Sequence, residues 1–179
     1  PIFFSKPAVS IQADGAQIPY ALETKNLHYE VELVVALGKA GTHIANAEAL
    51  EHVYGYAVGI DLTRRDLQRL AKDSGQPWDV AKGFDASAPC SAIHEATSTG
   101  HPTQGKIWLS VNGDVKQDGD IADMIWKVPE IIATLSQQFH LQAGDIIYTG
   151  TPSGVGPLEV GDRIDAGIEG VGTLHCEIV

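Results

Sequence analysis

Hydrophobic and polar residues alternate along the segment from His28 to Leu33, and this period of two predicts a β-strand. On such a strand His28, Glu30 and Glu32 share one face, and apolar side chains occupy the other. The next residues, 33–37, are continuously apolar, which is typical of a strand buried on both faces. The segment therefore brings two carboxylates to the start of a buried strand.

Further apolar runs, separated by turn residues, predict a chain made mostly of short strands. The Asn112-Gly113 pair between two of these runs predicts a type I′ hairpin, and Asp14-Gly15 predicts another turn. The predicted strands are the amino-terminal run before Pro7, one on each side of Asp14-Gly15, and residues 28–37, 56–60, 107–111, 114–117 and 146–148.

Helical spacing is predicted in three places. Thr63 begins a capping-box pattern, so we expect a helix over about 64–73 with Leu67, Leu70 and Ala71 buried. Asn46 can cap a short helix with Ala47, Leu50 and Tyr54 on its inner face. Pro129 suits the first turn of a helix whose apolar positions are Ile131, Ile132, Leu135 and Phe139.

Composition and charge narrow the classes of function. With 44% hydrophobic and 20% charged residues in 179, the chain can bury one sizeable core. The net charge of −11 makes nucleic acid and anionic membranes poor partners, and no apolar run approaches membrane-spanning length. Cys90 and Cys176 are isolated in the sequence, which fits a reducing, cytoplasmic setting.

Three carboxylates are candidate metal ligands. Glu30 and Glu32 would repel each other at the start of a buried strand, and a divalent cation such as Mg²⁺ would relieve that repulsion. Asp61 ends the predicted strand 56–60 and, with Thr63 as the cap, is free for another role. The alternative is a half-exposed strand with a solvated acidic face.

Other polar residues are candidates for substrate contacts. Arg65 and Gln68 share a helix face, and Lys82 lies in an aromatic, Gly-containing segment where burial would lower its pKa. Residues 149–157 form a loop rich in Gly and Thr whose N–H groups can face an anion. The alternatives are a surface arginine, a solvated lysine and an ordinary flexible connection.

Several motifs in this order resemble the fumarylacetoacetate hydrolase family, in its short acylpyruvate hydrolase branch. The resemblance covers nearly the whole chain. Its motifs are Glu30-Val31-Glu32, Asp61-Leu62-Thr63-Arg64-Arg65-Asp66-Leu67-Gln68, Lys82-Gly83-Phe84-Asp85 and Gly144-Asp145-Ile146-Ile147-Tyr148-Thr149-Gly150-Thr151-Pro152-Ser153-Gly154-Val155-Gly156.

The resemblance implies a mixed, mainly β (α+β) fold: a β-roll or sandwich with a few flanking helices, usually assembled as a homodimer. It implies a Mg²⁺ or Mn²⁺ site made by Glu30, Glu32 and Asp61. It also implies that Arg65, Gln68 and Lys82 are catalytic and that Gly150 and Thr151 bind the substrate. His28 is expected to be a neighbour of the metal site and not a ligand.

The implied activity is hydrolysis of the C–C bond of an acylpyruvate, such as fumarylpyruvate, to pyruvate and a carboxylic acid. The same enolate chemistry supports oxaloacetate decarboxylation or tautomerisation, or isomerisation of hydroxy-dienoates, and these are alternatives. The substrate expected is a small anionic keto acid.

One departure from the family pattern concerns the segment that carries a water-activating His and Glu. Family members have it upstream of the Phe-x-Lys-Pro element, seen here as Phe4-Ser5-Lys6-Pro7, and it is absent from this sequence. We therefore expect residues 1–179 to be a single catalytic domain without that lid. A non-catalytic scaffold that binds metal and ligand is the alternative outside enzymes.

Overall fold

The computed structural model describes residues 1–179, which are mainly β. Strands β1 to β14 are Ile11–Gln12, Ala16–Ile18, Leu27–Tyr29, Val31–Leu37, Val53–Ile60, Thr63–Arg64, Ala88–Pro89, His94–Glu95, Lys106–Val111, Asp114–Asp120, Ile146–Tyr148, Gly156–Pro157, Arg163–Ile168 and Gly172–Ile178. Helices α1 to α4 are Arg65–Asp73, Asp79–Lys82, Ala96–Thr99 and Val128–Leu135. Short 3₁₀ helices cover Ala8–Ser10, Asn46–His52 and Ile121–Asp123.

Two larger sheets contribute to the main apolar core of 33 buried residues, and a separate small cluster is formed by Val34, Ala57 and Cys90. The first sheet has the strand order β10-β9-β13-β14-β2 and the second the order β11-β4-β5-β8. A small three-stranded sheet has the order β12-β3-β6, and its central strand β3 directly precedes β4 in the chain. A further pair is formed by β1 and β7. Strand β4 is buried along its whole length, as its apolar sequence predicted. The predicted mainly β fold with a few flanking helices is confirmed.

The predicted hairpin at Asn112-Gly113 is present between β9 and β10. Both residues have positive φ, +54° for Asn112 and +87° for Gly113, as a type I′ turn requires. The two strands predicted around Asp14-Gly15 are also present, but they join different sheets: β1 pairs with β7 and β2 with β14.

Some local predictions were wrong. The residues before Pro7 form no strand. Thr63 does not cap α1, because it pairs with His28 in β6 and the helix begins two residues later. The segment at Asn46 is a 3₁₀ helix that buries Ala49 and His52, whereas Ala47 is exposed and Tyr54 lies on β5.

Two further apolar positions assigned to buried helix faces are in fact exposed. Leu70, in the middle of α1, is 58% exposed, although Ala71 beside it is buried. Phe139 is 57% exposed and lies beyond the end of α4, whose buried residues are Val128, Ile131 and Ile132. Helical spacing identified both helices correctly but not where their buried faces end.

No helix of this structure has both the length and the apolar character needed to cross a membrane.

Candidate metal centre and active site

Glu30 and Glu32 lie where β3 ends and β4 begins, and their carboxylates are close to that of Asp61. Glu30 lies between the two strands, Glu32 is on β4, and Asp61 follows the end of β5, which pairs with β4. Oxygen atoms of the three carboxylates lie within 4.8 Å of one another, and all three residues are buried. Backbone pairing of two neighbouring strands thus builds the triad that the sequence predicted.

Lys82 neutralises part of this charge from the end of α2. Its Nζ lies 2.9 Å from Glu30 Oε2, 2.6 Å from Asp61 Oδ2 and 2.6 Å from Thr63 Oγ1. Only 2% of the Lys82 side chain is exposed, so the alternative of a solvated lysine was wrong. A buried ammonium held by two carboxylates is a strong electrostatic feature and not a surface charge.

Lys6 is a site residue that the sequence analysis did not identify as such. Its Nζ lies 2.8 Å from Asp61 Oδ1, and it donates to the carbonyl oxygens of Leu62, Ser87 and Lys82. Burial lowers the pKa of Lys6 and Asp61 opposes that shift. The one available signal was its place in the Phe-x-Lys-Pro element.

Arg65 contacts the triad from the first turn of α1, and Gln68, one turn later, contacts Arg65. Arg65 Nη2 lies 3.1 Å from Glu30 Oε1, and its Nη1 donates to Gln68 Oε1 at 2.6 Å. The Arg65 side chain is 29% exposed, so the pair reaches from the buried carboxylates toward solvent. This placement leaves Gln68 its amide N–H₂ for a ligand.

His28 is a neighbour of the site and lies outside the triad. Its Nδ1 is 3.4 Å from Arg65 Nε, and its Nε2 is 2.8 Å from Asn26 Oδ1. Burial and the adjacent Arg65 lower the pKa of His28, which favours the neutral ring. Both ring nitrogens already have partners in this arrangement.

Glu32 differs from the other two carboxylates because no cation pairs with it. It accepts a hydrogen bond from the Gly150 N–H at 2.6 Å. Burial, followed by repulsion from Asp61, raises its pKa to about 8. At neutral pH Glu32 therefore holds a proton that a bound cation would displace.

The residues present fit a divalent cation. Asp61 Oδ1 is buried and accepts no well-directed hydrogen bond, although Lys6 lies close enough for an ion pair. Together with Glu32, it presents oxygen atoms that the protein leaves incompletely satisfied. An all-oxygen donor set suits Mg²⁺ or Mn²⁺ better than metals that prefer nitrogen or sulfur.

Gly150 and Thr151 begin the loop that closes the other side of the site. Thr149 Oγ1 donates to Leu33 O at 2.8 Å, and the Gly150 N–H reaches Glu32, so β4 holds the start of the loop. Thr151 is half-buried next to this contact. The structure thus assembles all eight predicted site residues around β4: Glu30, Glu32, Asp61, Arg65, Gln68, Lys82, Gly150 and Thr151.

Comparison with known proteins agrees with this arrangement. The family model for the fumarylacetoacetate (FAA) hydrolase C-terminal region matches residues 1–179. The chain belongs to the fumarylacetoacetate hydrolase family. The resemblance inferred from the motifs is thereby confirmed.

Relatives within the family have different activities. The chain is 45% identical to a fumarylpyruvate hydrolase from Ralstonia sp., over 98% of this chain and 91% of that protein. It is 43% identical to the human mitochondrial oxaloacetate tautomerase FAHD1, over 99% of this chain and 80% of that protein.

A solved structure gives the same fold with a metal bound. The fumarylpyruvate hydrolase from Pseudomonas aeruginosa in complex with Mn²⁺ and pyruvate is 45% identical, with a TM-score of 0.98 over 100% of this chain and 78% of that one. The predicted class, a metal-dependent hydrolase with a divalent cation as cofactor, is confirmed.

Proposed function

We propose that the chain hydrolyses acylpyruvates, 2,4-diketo acids such as fumarylpyruvate, to pyruvate and a carboxylic acid. The observation that carries the proposal is the buried triad Glu30, Glu32 and Asp61 with the Lys82 ammonium between two of its members. The identity to fumarylpyruvate hydrolases supports the choice of substrate.

The reaction needs an electron sink in the pyruvoyl half of the substrate. Water adds to the 4-carbonyl carbon, the C3–C4 bond breaks, and its electron pair becomes the enolate of pyruvate, which a proton then converts to the ketone. When bound, a divalent cation supplies Lewis-acid polarisation of the substrate oxygens. Glu30, Glu32 and Asp61 would hold it.

The chain's own polar groups supply the remaining stabilisation. Lys82 brings a buried positive charge to the site. Because water is excluded there, this charge stabilises the developing negative charge of the enolate more strongly than it would in solvent. Arg65 and the amide of Gln68 face the open side and would orient the substrate carboxylate. His28 has no free nitrogen, so it does not serve as the base for water in this arrangement.

We also propose the assembly, compartment and metal for this activity. Residues 1–179 would act as one catalytic domain, in a cytoplasmic homodimer, on a small anionic keto acid, with Mg²⁺ or Mn²⁺ as the metal. The net charge of −11 fits this proposal, because an anionic substrate then requires the local positive charge that Lys82, Arg65 and the cation provide.

Oxaloacetate tautomerisation or decarboxylation is the second candidate. The 43% identity to an oxaloacetate tautomerase favours it, and both reactions need enolate stabilisation and a proton transfer at C3 but no activated water. The same residues would serve both reactions.

A substrate panel separates these functions. Purified protein with Mg²⁺ or Mn²⁺ is given several 2,4-diketo acids and oxaloacetate, and the release of pyruvate and the keto–enol ratio are followed. Acylpyruvate cleavage with the highest kcat/KM supports the first proposal. Oxaloacetate turnover without acylpyruvate cleavage supports the second, and no turnover of either would contradict both.

A further inference from the structure

Gln117 is a fully buried polar residue on a strand that is otherwise exposed. Every other residue of β10 is exposed or half-buried, whereas Gln117 has 0% exposure. The register of β10 against β9 shifts between Val115 and Gln117, and this bulge turns the Gln117 side chain inward. Burying an amide is costly unless its hydrogen bonds are made, so its partners indicate its role.

The partners of Gln117 join the metal strand to the substrate loop. Gln117 Oε1 lies 3.0 Å from the Val31 N, between Glu30 and Glu32. Its Nε2 lies 2.8 Å from Thr151 Oγ1 and 2.9 Å from Pro152 O. One side chain therefore fixes the distance between the carboxylate strand and the loop that carries Thr151.

These contacts also determine which way the amide points. The Val31 N–H can only donate, so the oxygen of the Gln117 amide must face it, and the NH₂ group must face Thr151 and Pro152. Pro152 O can only accept, which agrees with this orientation. The two N–H bonds of the amide are thus both used as donors.

The orientation has a consequence for Thr151. Because Gln117 donates to Thr151 Oγ1, that oxygen serves as an acceptor toward the protein, and its own O–H has no acceptor in the chain. The hydroxyl proton is then available to a ligand. A site built this way favours an oxygen that only accepts, such as a carboxylate or keto oxygen, over a ligand N–H.

We propose that Gln117 is a positioning residue that makes Thr151 a hydrogen-bond donor to the substrate and holds its loop against the metal strand. The inference rests on the proposed function, because it assumes a keto-acid ligand beside Thr151. Gln117 itself does not touch the substrate.

The test is a double-mutant cycle with oxalate, whose oxygens all accept. Wild type, Gln117→Met, Thr151→Val and the double variant are titrated with oxalate at saturating Mg²⁺, and separately with Mg²⁺ alone. We expect Gln117→Met and Thr151→Val each to weaken oxalate binding by about tenfold or more, the loss typical of a hydrogen bond to a charged group. Mg²⁺ affinity should change by no more than about twofold, a margin well inside one tenfold step of affinity.

The cycle distinguishes positioning from general damage. In the Thr151→Val background, Gln117→Met should weaken oxalate binding by no more than about twofold, because the hydroxyl that Gln117 orients is gone. Equal losses in both backgrounds, or unchanged oxalate binding by Gln117→Met, would overturn the inference while leaving the proposed function intact. Failure of the wild type to bind oxalate would overturn both.

A second variant covers the case in which Gln117→Met does not fold. Gln117→Glu keeps the oxygen that accepts from Val31 and replaces the NH₂ group that donates to Thr151. It should show the same dependence on Thr151. Gln138→Glu, at an exposed position, controls for the added charge and should bind oxalate as the wild type does.

Discussion

The ammonium of Lys82 contacts two carboxylates and a hydroxyl, so its removal should lower turnover far more than it affects metal binding. We expect Lys82→Met to lower kcat by on the order of a hundredfold or more, as for loss of a transition-state charge donor. Mg²⁺ affinity should not weaken, because the substitution removes a cation that competes for Glu30 and Asp61. Steady-state kinetics and metal titration measure the two effects.

A matched control is Lys106→Met, which removes an exposed lysine paired with Asp118 at 3.1 Å. Surface ion pairs of this kind contribute little to stability, and Lys106 is not among the predicted site residues, so the kcat of Lys106→Met should equal that of the wild type. A Lys82→Met enzyme with normal kcat would remove Lys82 from the mechanism.

Glu32 should make the metal-free protein less stable as the pH rises. Its pKa is about 8 in the folded protein and 4.5 in the unfolded chain, so between these values only the folded state holds the proton. The free energy of unfolding should therefore fall as the pH rises from about 4.5 and level off above about 8, as far as this group contributes. Denaturant unfolding at several pH values in a chelator measures the slope.

Glu32→Gln should flatten that slope, since the amide does not titrate. Glu51→Gln, at a side chain that is 68% exposed, is the control and should keep the slope of the wild type. An unchanged slope in Glu32→Gln would show that a group other than Glu32 causes the pH dependence.

At the scale of elements, the substrate loop lies directly on β10, and Gly154 makes this approach possible. Its φ is +100°, and a Cβ atom there would overlap the carbonyl oxygen of Lys116. Gly144 has a similar φ of +97° but open space around it. Comparing substitutions at the two glycines therefore distinguishes the cost of backbone strain from the cost of a steric clash.

Gly144→Ala should cost only the left-handed strain, about 1–2 kcal/mol. Gly154→Ala should cost more and should also raise KM for the keto acid, because the loop must move away from β10. Thermal unfolding and kinetics compare the two variants. Equal losses of stability with unchanged KM would show that the contact with Lys116 does not position the loop.

The elements themselves differ in how far the sequence predicts them. Period-two alternation and the Asn112-Gly113 turn predict β4 and the β9–β10 hairpin because side-chain burial and positive φ are local properties. Gln117 gives no such signal: a polar residue on a strand is ordinarily exposed, and only the bulge turns it inward. Lys6 lies 56 residues or more from its hydrogen-bond partners, and no local pattern predicts such contacts.

For the whole molecule, three carboxylates gathered around a cation should link stability to metal concentration. At about 100 times Kd, Mg²⁺ should add about 2.7 kcal/mol, or a Tm increase of roughly 5–10 °C for a chain of this size. Differential scanning calorimetry of stripped protein with and without Mg²⁺ or Mn²⁺ measures the shift.

Asp61→Asn should abolish most of the increase in Tm. Asp118→Asn, at an exposed side chain far along the sequence from the triad, should retain it. A stripped wild-type protein whose Tm does not respond to either metal would contradict the metal site.

The separation in sequence of the contacting site residues has a consequence for the order of folding. Glu32 and Gly150 are 118 residues apart, and Val31 and Gln117 are 86 apart. Closing loops of this length costs entropy before any contact forms, so the site should be assembled after the transition state for folding. Substitutions at Gln117 should then accelerate unfolding and leave the refolding rate nearly unchanged, which stopped-flow chevron plots can measure. By this reasoning the catalytic centre is the part of the enzyme that a newly made chain completes last.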